Sequence, residues 1–251
     1  GYSIPFEHVT QKVLPHVQKL AEVERKETKK DTGQDQMWLN TWWRFFRPRT
    51  DLIGKLTGLS RYMVCSRVTK RPTFMFLSAD IRPSDSLSCF VFDDDYSFGV
   101  LQALPHQKWF VAKGSKLTER LRYTPESVFD TFPWPQSPTA KQVKAVADAA
   151  VALRKVRADS LVKVKGGLRA LYKAIDLPGK SPLKDAHETL DKAVLDAYGF
   201  GAKADLLAQL LALNASVAAK IAASEAVTGP GIPATYPTPA DLVTGDCILA
   251  P

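Results

Sequence analysis

Near the N-terminus, Phe6, Val9, Val13, Val17 and Leu20 recur at intervals of three and four, with lysines and glutamates between them. Such intervals return a side chain to one side of an α-helix, so the pattern predicts a single helix over residues 3–30. The polar run DTGQDQ (31–36) breaks it. Trp38, Trp42, Trp43, Phe45 and Phe46 then crowd together with Arg44, Arg47 and Arg49. Aromatics at this density predict core packing, with the arginines reaching outward past them. A short helix around 51–59 is expected to end near Gly58.

The pattern changes in the middle of the chain. RYMVCSRV (61–68), PTFMFLS (72–78) and SLSCFVFD (86–93) are short runs rich in Val, Phe and Tyr. They predict strands, separated by turns at Lys70-Arg71-Pro72 and Pro83-Ser84-Asp85. Phe98, Leu101, Gln102, His106 and Trp109 return to helical spacing, although Pro105 falls inside the run and a proline inside a helix removes a hydrogen bond. A further extended stretch is predicted over about 119–131. It ends in Phe132-Pro133-Trp134-Pro135, where two prolines exclude a helix or a central strand.

After Pro138 four helical stripes follow: Val143, Val146, Ala150 and Leu153; Leu168, Leu171 and Tyr172; Leu190, Val194, Ala197 and Tyr198; Leu206, Leu210, Leu213 and Val217. Gly166-Gly167, Pro178-Gly179 and Gly199–Gly201 separate them. Four antiparallel helices with short loops read as a bundle. The predicted fold class is α+β, a mixed α/β domain followed by an all-α helical bundle. The expected segments are a lead-in helix over 1–30, the mixed domain over 31–137, the bundle over 138–227 and a packed Pro/Gly-rich tail over 228–251. Trp134 is expected at least partly buried at a rigid junction between the mixed domain and the bundle.

Charge adds a direction to this picture. The net charge is +8, and residues 1–75 hold 14 Lys and Arg against 7 Asp and Glu. Residues 76–135 hold 6 against 8, and residues 136–251 hold 14 against 11. A basic excess concentrated in one stretch suits a polyanionic partner. Cys65, Cys89 and Cys247 are few and far apart, which predicts reduced thiols and a cytoplasmic protein. No run reaches the ~18 apolar residues of a membrane span, so no membrane partner is expected. Because the chain opens on Gly1, it is expected to be a piece of a longer protein.

Catalytic signatures are sparse. The sequence has no G-x-G-x-x-G, no phosphate-binding G-x-x-x-x-G-K-[ST] loop and no H-E-x-x-H. Asp93-Asp94-Asp95 could hold Mg²⁺ with help from elsewhere, but reads first as a solvated turn after a strand. His106 reads as a side chain satisfied at a helix end, and His187 as a helix-surface or packing residue. Neither catalytic nor metal-binding residues are expected in this chain.

Binding chemistry is better represented. DNA recognition needs cations that neutralise phosphates and rigid donors that read base edges. The backbone-contact candidates are Arg44, Arg47, Arg49, Arg61, Lys113 and Lys116. The base-reading candidates are Arg67, Lys70, Arg71, Lys108, Arg120 and Arg122. Lys70 and Arg71 occupy a turn restricted by Pro72, where side chains reach outward without disturbing a sheet. Arg120 and Arg122 are two apart, so an extended backbone puts both on one face. Arginine can grip guanine O6 and N7 together. The alternative for either is an ion pair with Asp130 or Glu119.

Several of these stretches resemble one family. The features are the aspartates leading into Tyr96, Phe98-Gly99-Val100-Leu101, His106 three before Trp109, Arg122-Tyr123, Val128-Phe129 and Phe132-Pro133-Trp134-Pro135. In the helical part they are Leu171-Tyr172, Ala186-His187, Leu190-Asp191-Lys192-Ala193-Val194 and Ala197-Tyr198-Gly199. Over about residues 5–225 the chain is similar to the target-recognition and C-terminal helical domains of the large single-chain methyltransferases related to the MmeI type of restriction–modification enzyme. The resemblance implies a parent that methylates adenine N6 with S-adenosylmethionine, in some members beside a nuclease. The family's glycine-rich cofactor loop, Asn-Pro-Pro-Tyr box and nuclease residues are missing from this sequence. The implied role is therefore the specificity part, without catalysis or a cofactor of its own. Its implied partners are double-stranded DNA and an N-terminal methyltransferase domain of the parent chain. A protein-interaction domain of a phage-defence complex is the competing reading. The family motifs mark the scaffold and carry over no base-reading residue.

Overall fold

A computed structural model of the chain describes residues 3–44, 49–117, 120–201 and 204–250. The chain divides into two compact units, residues 1–55 and 56–251.

The first unit is helical. The single helix expected over 3–30 is two, α1 (Ser3–Lys12) and α2 (Leu14–Thr28), which meet at Val13. Pro15 opens α2, because its missing N–H is tolerated only in a first turn. Val17 and Ala21 are buried on α2. A short helix α3 (Gln34–Asn40) lies against α2, and the Glu24 carboxylate accepts the Asp35 and Gln36 N–H groups, both at 3.0 Å. That carboxylate satisfies donors which every helix start leaves open. Trp42 is half-buried and meets the rings of Phe6 and Trp43 at 5.6 and 6.0 Å. Trp43 is half exposed, so the aromatic run is less enclosed than its density suggested. Phe45, Phe46 and Arg47 lie outside the described residues. α4 (Thr50–Leu56) follows, and Gly58 lies beyond its end at φ +93°.

The second unit is built on a three-stranded antiparallel sheet of β1 (Arg61–Ser66), β2 (Met75–Ser78) and β3 (Leu87–Phe90), in the order β2-β1-β3. Met63 lies opposite Phe76 on one side and Phe90 on the other. The three expected strands are present. The helical run that follows is split into α5 (Asp95–Gln102) and α6 (Leu104–Lys113), with Pro105 in the first turn of α6. The hairpin β4 (Ser115–Leu117) and β5 (Arg120–Arg122) comes next. The stretch expected to stay extended to 131 instead turns into α7 (Pro125–Val128), which Pro125 starts.

Four helices complete the unit: α8 (Ala140–Leu161), α9 (Gly167–Ile175), α10 (Pro182–Tyr198) and α11 (Leu206–Ala222). Thr139 and Gln142 form a reciprocal cap at the start of α8, two open donors satisfied at once. These helices do not close on themselves as a separate bundle. α8 packs on α10 and also on α5, while α11 packs on α6. Gly99 permits the α5–α8 approach, since a Cβ there would lie 2.6 Å from Val146 Cγ1 and 3.1 Å from its carbonyl oxygen. One apolar core runs through sheet and helices, from Met63, Phe76 and Phe90 through Trp109 to Leu153, Leu190 and Leu210. The expected boundary at 137–138 therefore divides no core. Phe132-Pro133-Trp134-Pro135 is buried throughout, and Trp134 meets Phe92, Phe129 and Phe132.

The tail is an integral part of the unit. Gln136 and Thr228 exchange two hydrogen bonds of 2.9 Å. Leu242 is buried, and Ile248 pairs with the β2 edge, donating to the Phe76 carbonyl and accepting from Ser78 N–H. No helix among the described residues is long and apolar enough to cross a membrane.

Candidate nucleic-acid interface

The turn after β1 and the β4–β5 hairpin are far apart in sequence but bonded to each other. Thr69 N–H donates to the Leu121 carbonyl at 3.1 Å, and Tyr123 N–H to the Arg67 carbonyl at 2.7 Å. Val68 and Arg122 form an antiparallel bridge between them. The turn is closed on itself by the Thr69 hydroxyl, which donates to the Arg71 carbonyl at 2.7 Å. Its exit is held from α5, where the Gln102 side chain accepts Phe74 N–H at 2.9 Å. A segment tied at both ends and in the middle keeps its backbone fixed, which is what oriented donors need.

This pairing brings five of the six base-reading candidates together. Arg67 is half-buried and donates to the Asp85 carbonyl at 2.9 Å. Lys70 is exposed at the turn. Arg71 is partly buried and pairs with Asp176 at 3.0 Å. On β5, Arg120 is exposed and Arg122 half-buried, on the face opposite Leu121, which packs toward the core. Among the described residues neither forms an ion pair with Asp130, and Glu119 lies outside those residues. Lys116, expected as a backbone contact, is exposed on the same hairpin, opposite Leu121. Lys108 stands on α6 and is exposed, so it belongs to a different element from the other five. Lys113, at the end of α6, is exposed and lies 5.2 Å over the Trp109 ring. Arg44 and Arg49 are exposed in the first unit.

The hairpin is anchored from below by Tyr123. Its ring stacks on Phe110 at 5.7 Å, and its hydroxyl meets His106 Nε2 at 3.0 Å in the core. Burial pushes the His106 pKa down to about 3, against a hydrogen bond with the Leu101 backbone. A neutral, enclosed imidazole in the first turn of α6 pins Tyr123 through Nε2, while its buried Nδ1 makes no hydrogen bond of ordinary geometry, so the side chain is less fully satisfied than expected. Gly114 turns α6 into β4, where an added Cβ would lie 2.6 Å from the Phe110 carbonyl oxygen.

Arg61 is a correction. It was expected on the surface as a phosphate contact, yet its side chain is only 1% exposed. Its guanidinium donates to Asp95 at 2.7 Å, to Asp246 at 3.0 Å and to the Asp93 carbonyl at 2.9 Å. Arg154 donates to the same two carboxylates, at 2.5 Å to Asp95 and 2.6 Å to Asp246. Both guanidiniums lie over the Phe76 ring, at 3.7 and 5.0 Å. Burial works to raise the Asp246 pKa, but hydrogen bonds from Arg154 and Thr244 and the two positive charges outweigh it and hold it at about 2. The aspartate run is accordingly not a solvated turn. Asp94 caps α5, accepting Ser97 N–H at 2.6 Å, and Asp95 neutralises the two arginines.

Sequence reasoning also missed Arg154 and Arg157. Both extend the apolar stripe of α8, four residues beyond Ala150 and Leu153, and that periodicity was the available signal. Arg157 donates to the Phe74 carbonyl at 2.9 Å. His187 packs against Tyr172, 3.0 Å from its hydroxyl, and burial followed by the charges of Arg157 and Arg71 lowers its pKa to about 3. Cys65 is buried, and Cys89 and Cys247 are partly buried.

The sequence matches no protein-family model and no curated protein. Among solved structures, the chain is similar to that of the Type IIL restriction–modification enzyme MmeI in complex with DNA, with a TM-score of 0.64 and 25% identity over 82% of this chain. It spans only 26% of that protein. The α+β fold seen here is thus one found within a restriction–modification enzyme, and the chain is related in structure to that part of it.

Proposed function

We propose that this chain is the duplex-DNA recognition module of a larger restriction–modification protein, whose catalytic chemistry lies in another domain. The observation that carries the reading is the bonded pairing of the 66–72 turn with the β4–β5 hairpin, which collects Arg67, Lys70, Arg71, Arg120 and Arg122 on one edge formed by the segment after β1 and the hairpin. Fixed arginines suit bidentate contacts to guanine, while exposed lysines such as Lys116 suit phosphates. The similar enzyme was solved with DNA. The parent's reaction is adenine-N6 methylation from S-adenosylmethionine, and the module presents the duplex to that domain.

One observation favours protein contact for the first unit. Ile4, Phe6, Met37 and Trp43 are exposed there, and apolar surface of this kind suits a protein neighbour. That reading and DNA binding by the second unit are separable. Titration of labelled duplex DNA with the chain at several salt concentrations tests the latter. Affinity that falls with salt, and falls further in Lys70→Ala, supports it. Binding that is absent, or insensitive to salt and to Lys70, contradicts it.

A further inference from the structure

α9 and its flanking loops carry a concentration of positive charge that the recognition edge does not use. Residues 160–184 contain six lysines and arginines and a single acid, Asp176. Lys163, Lys165, Arg169, Lys173 and Lys180 are exposed. α9 presents Leu168, Leu171 and Ile175 to the core. Arg169 and Lys173, four apart, share the outer side of the helix, with Asp176 three residues further on. The neighbouring helix α10 shows the opposite sign on its exposed surface, at Asp185 and Glu188. The basic excess of α9 therefore does not extend onto α10.

The placement of Asp176 links this surface to the recognition edge. The one acid of the segment points at Arg71, 3.0 Å away, in the turn that is bonded to the β4–β5 hairpin. The Arg71–Asp176 pair thus joins the segment that carries Arg169 and Lys173 to the turn of Lys70, which is bonded in turn to the strand of Arg120. A duplex presents one negative charge per ~1.7 Å of its axis, so a track of cations continuous with a base-reading edge matches a phosphate backbone leaving that edge.

We infer that the outer side of α9 binds the phosphate backbone of the duplex whose bases the turn and hairpin read, and that Asp176, the one exposed acid of that segment, weakens this contact by repelling the phosphates. The inference rests on the proposed DNA recognition and extends its footprint into the helical part of the unit. The partner is the same duplex. The contacts carry no sequence information, because phosphates are alike at every position.

The test uses the whole chain and a duplex of random sequence, titrated at low and moderate salt, with the double variant Arg169→Gln/Lys173→Gln, the variant Asp176→Asn and the variant Lys70→Ala. All four positions are exposed or partly exposed, and unchanged thermal melts establish that the variants fold. Losing two phosphate contacts should flatten the slope of log affinity against log salt by about 1.8, with no change in relative preference among duplex sequences. Asp176→Asn should tighten binding to every duplex, by roughly two- to fivefold, as expected for removing one exposed like charge. If the wild-type chain binds and Lys70→Ala weakens it, but the double variant keeps the full salt slope, α9 is a solvated surface and the inference is overturned while DNA recognition stands. Weaker binding in Asp176→Asn overturns the role given to Asp176. Absence of binding by the wild-type chain removes both readings together.

Discussion

Arg61 and Arg154 are two guanidiniums held in the core with Asp95 as their fully enclosed counter-charge and Asp246 as a second, half-exposed one. Removing a partner from such a set leaves a buried charge uncompensated, which costs about 3–5 kcal/mol. Asp95→Asn should therefore lower the urea midpoint by an equivalent amount, and an unchanged midpoint would show that the pairs contribute little. The carboxylates also give stability opposing pH dependences. Asp246, held at about 2 when folded, stabilises the fold above about pH 4, the range of an unfolded aspartate, and loses that contribution as pH falls toward 2. Asp94 and Asp191 are raised to about 6, chiefly by burial. Their contribution is complete below about pH 4 and is lost as pH rises from 4 to 6. Asn caps a helix as well as Asp, so Asp94→Asn should keep α5 capped and lose less stability between pH 4 and 6 than the wild type; a steeper loss in chemical denaturation across that range would contradict this. The misplacement of Arg61 has its cause at this scale. A residue's charge does not reveal whether a counter-charge 185 positions away will enclose it.

At the scale of elements, the alternation of Val, Phe and Tyr located all three main strands, and 3.6-residue spacing located the later helices. Prolines decided where expectation and structure parted. Pro15 divides the N-terminal helix, Pro105 starts α6, and Pro125 starts α7 where an extended stretch was expected. In each case proline occupies a first turn, where its missing N–H costs nothing and its fixed φ suits the helix. Periodicity gave the inward side of each late helix but not its partner, so a self-contained bundle was expected where α8 joins α5 and α11 joins α6. Gly99 is where the first of these joins is tightest. Gly99→Val should force the two helices apart and cost about 1–3 kcal/mol, the usual range for overpacking a filled core. Equal thermal stability of variant and wild type would mean that α5 and α8 approach less closely than described.

For the molecule as a whole, the second unit behaves as one core closed by its own C-terminal segment. The tail pairs with the β2 edge and delivers Asp246 to the arginines, which composition alone could not foretell. The candidate interface was legible as residue types and turns. The hydrogen bonds that join the 66–72 turn to the β4–β5 hairpin were not, because local patterning holds no information on which distant segments meet. Their joining gathers scattered cations at one edge, the one proposed to read a duplex. The central claim is that this edge distinguishes sequences, and it is tested most directly by enrichment. Duplexes of random sequence are selected on the chain, and affinity for the enriched and a scrambled duplex is then compared for wild type and Arg120→Ala. The account predicts a defined enriched sequence, and a preference for it that falls by ~1–3 kcal/mol in Arg120→Ala if the contact is bidentate. No enrichment, or an equal weakening of both duplexes, would show that the edge does not read bases.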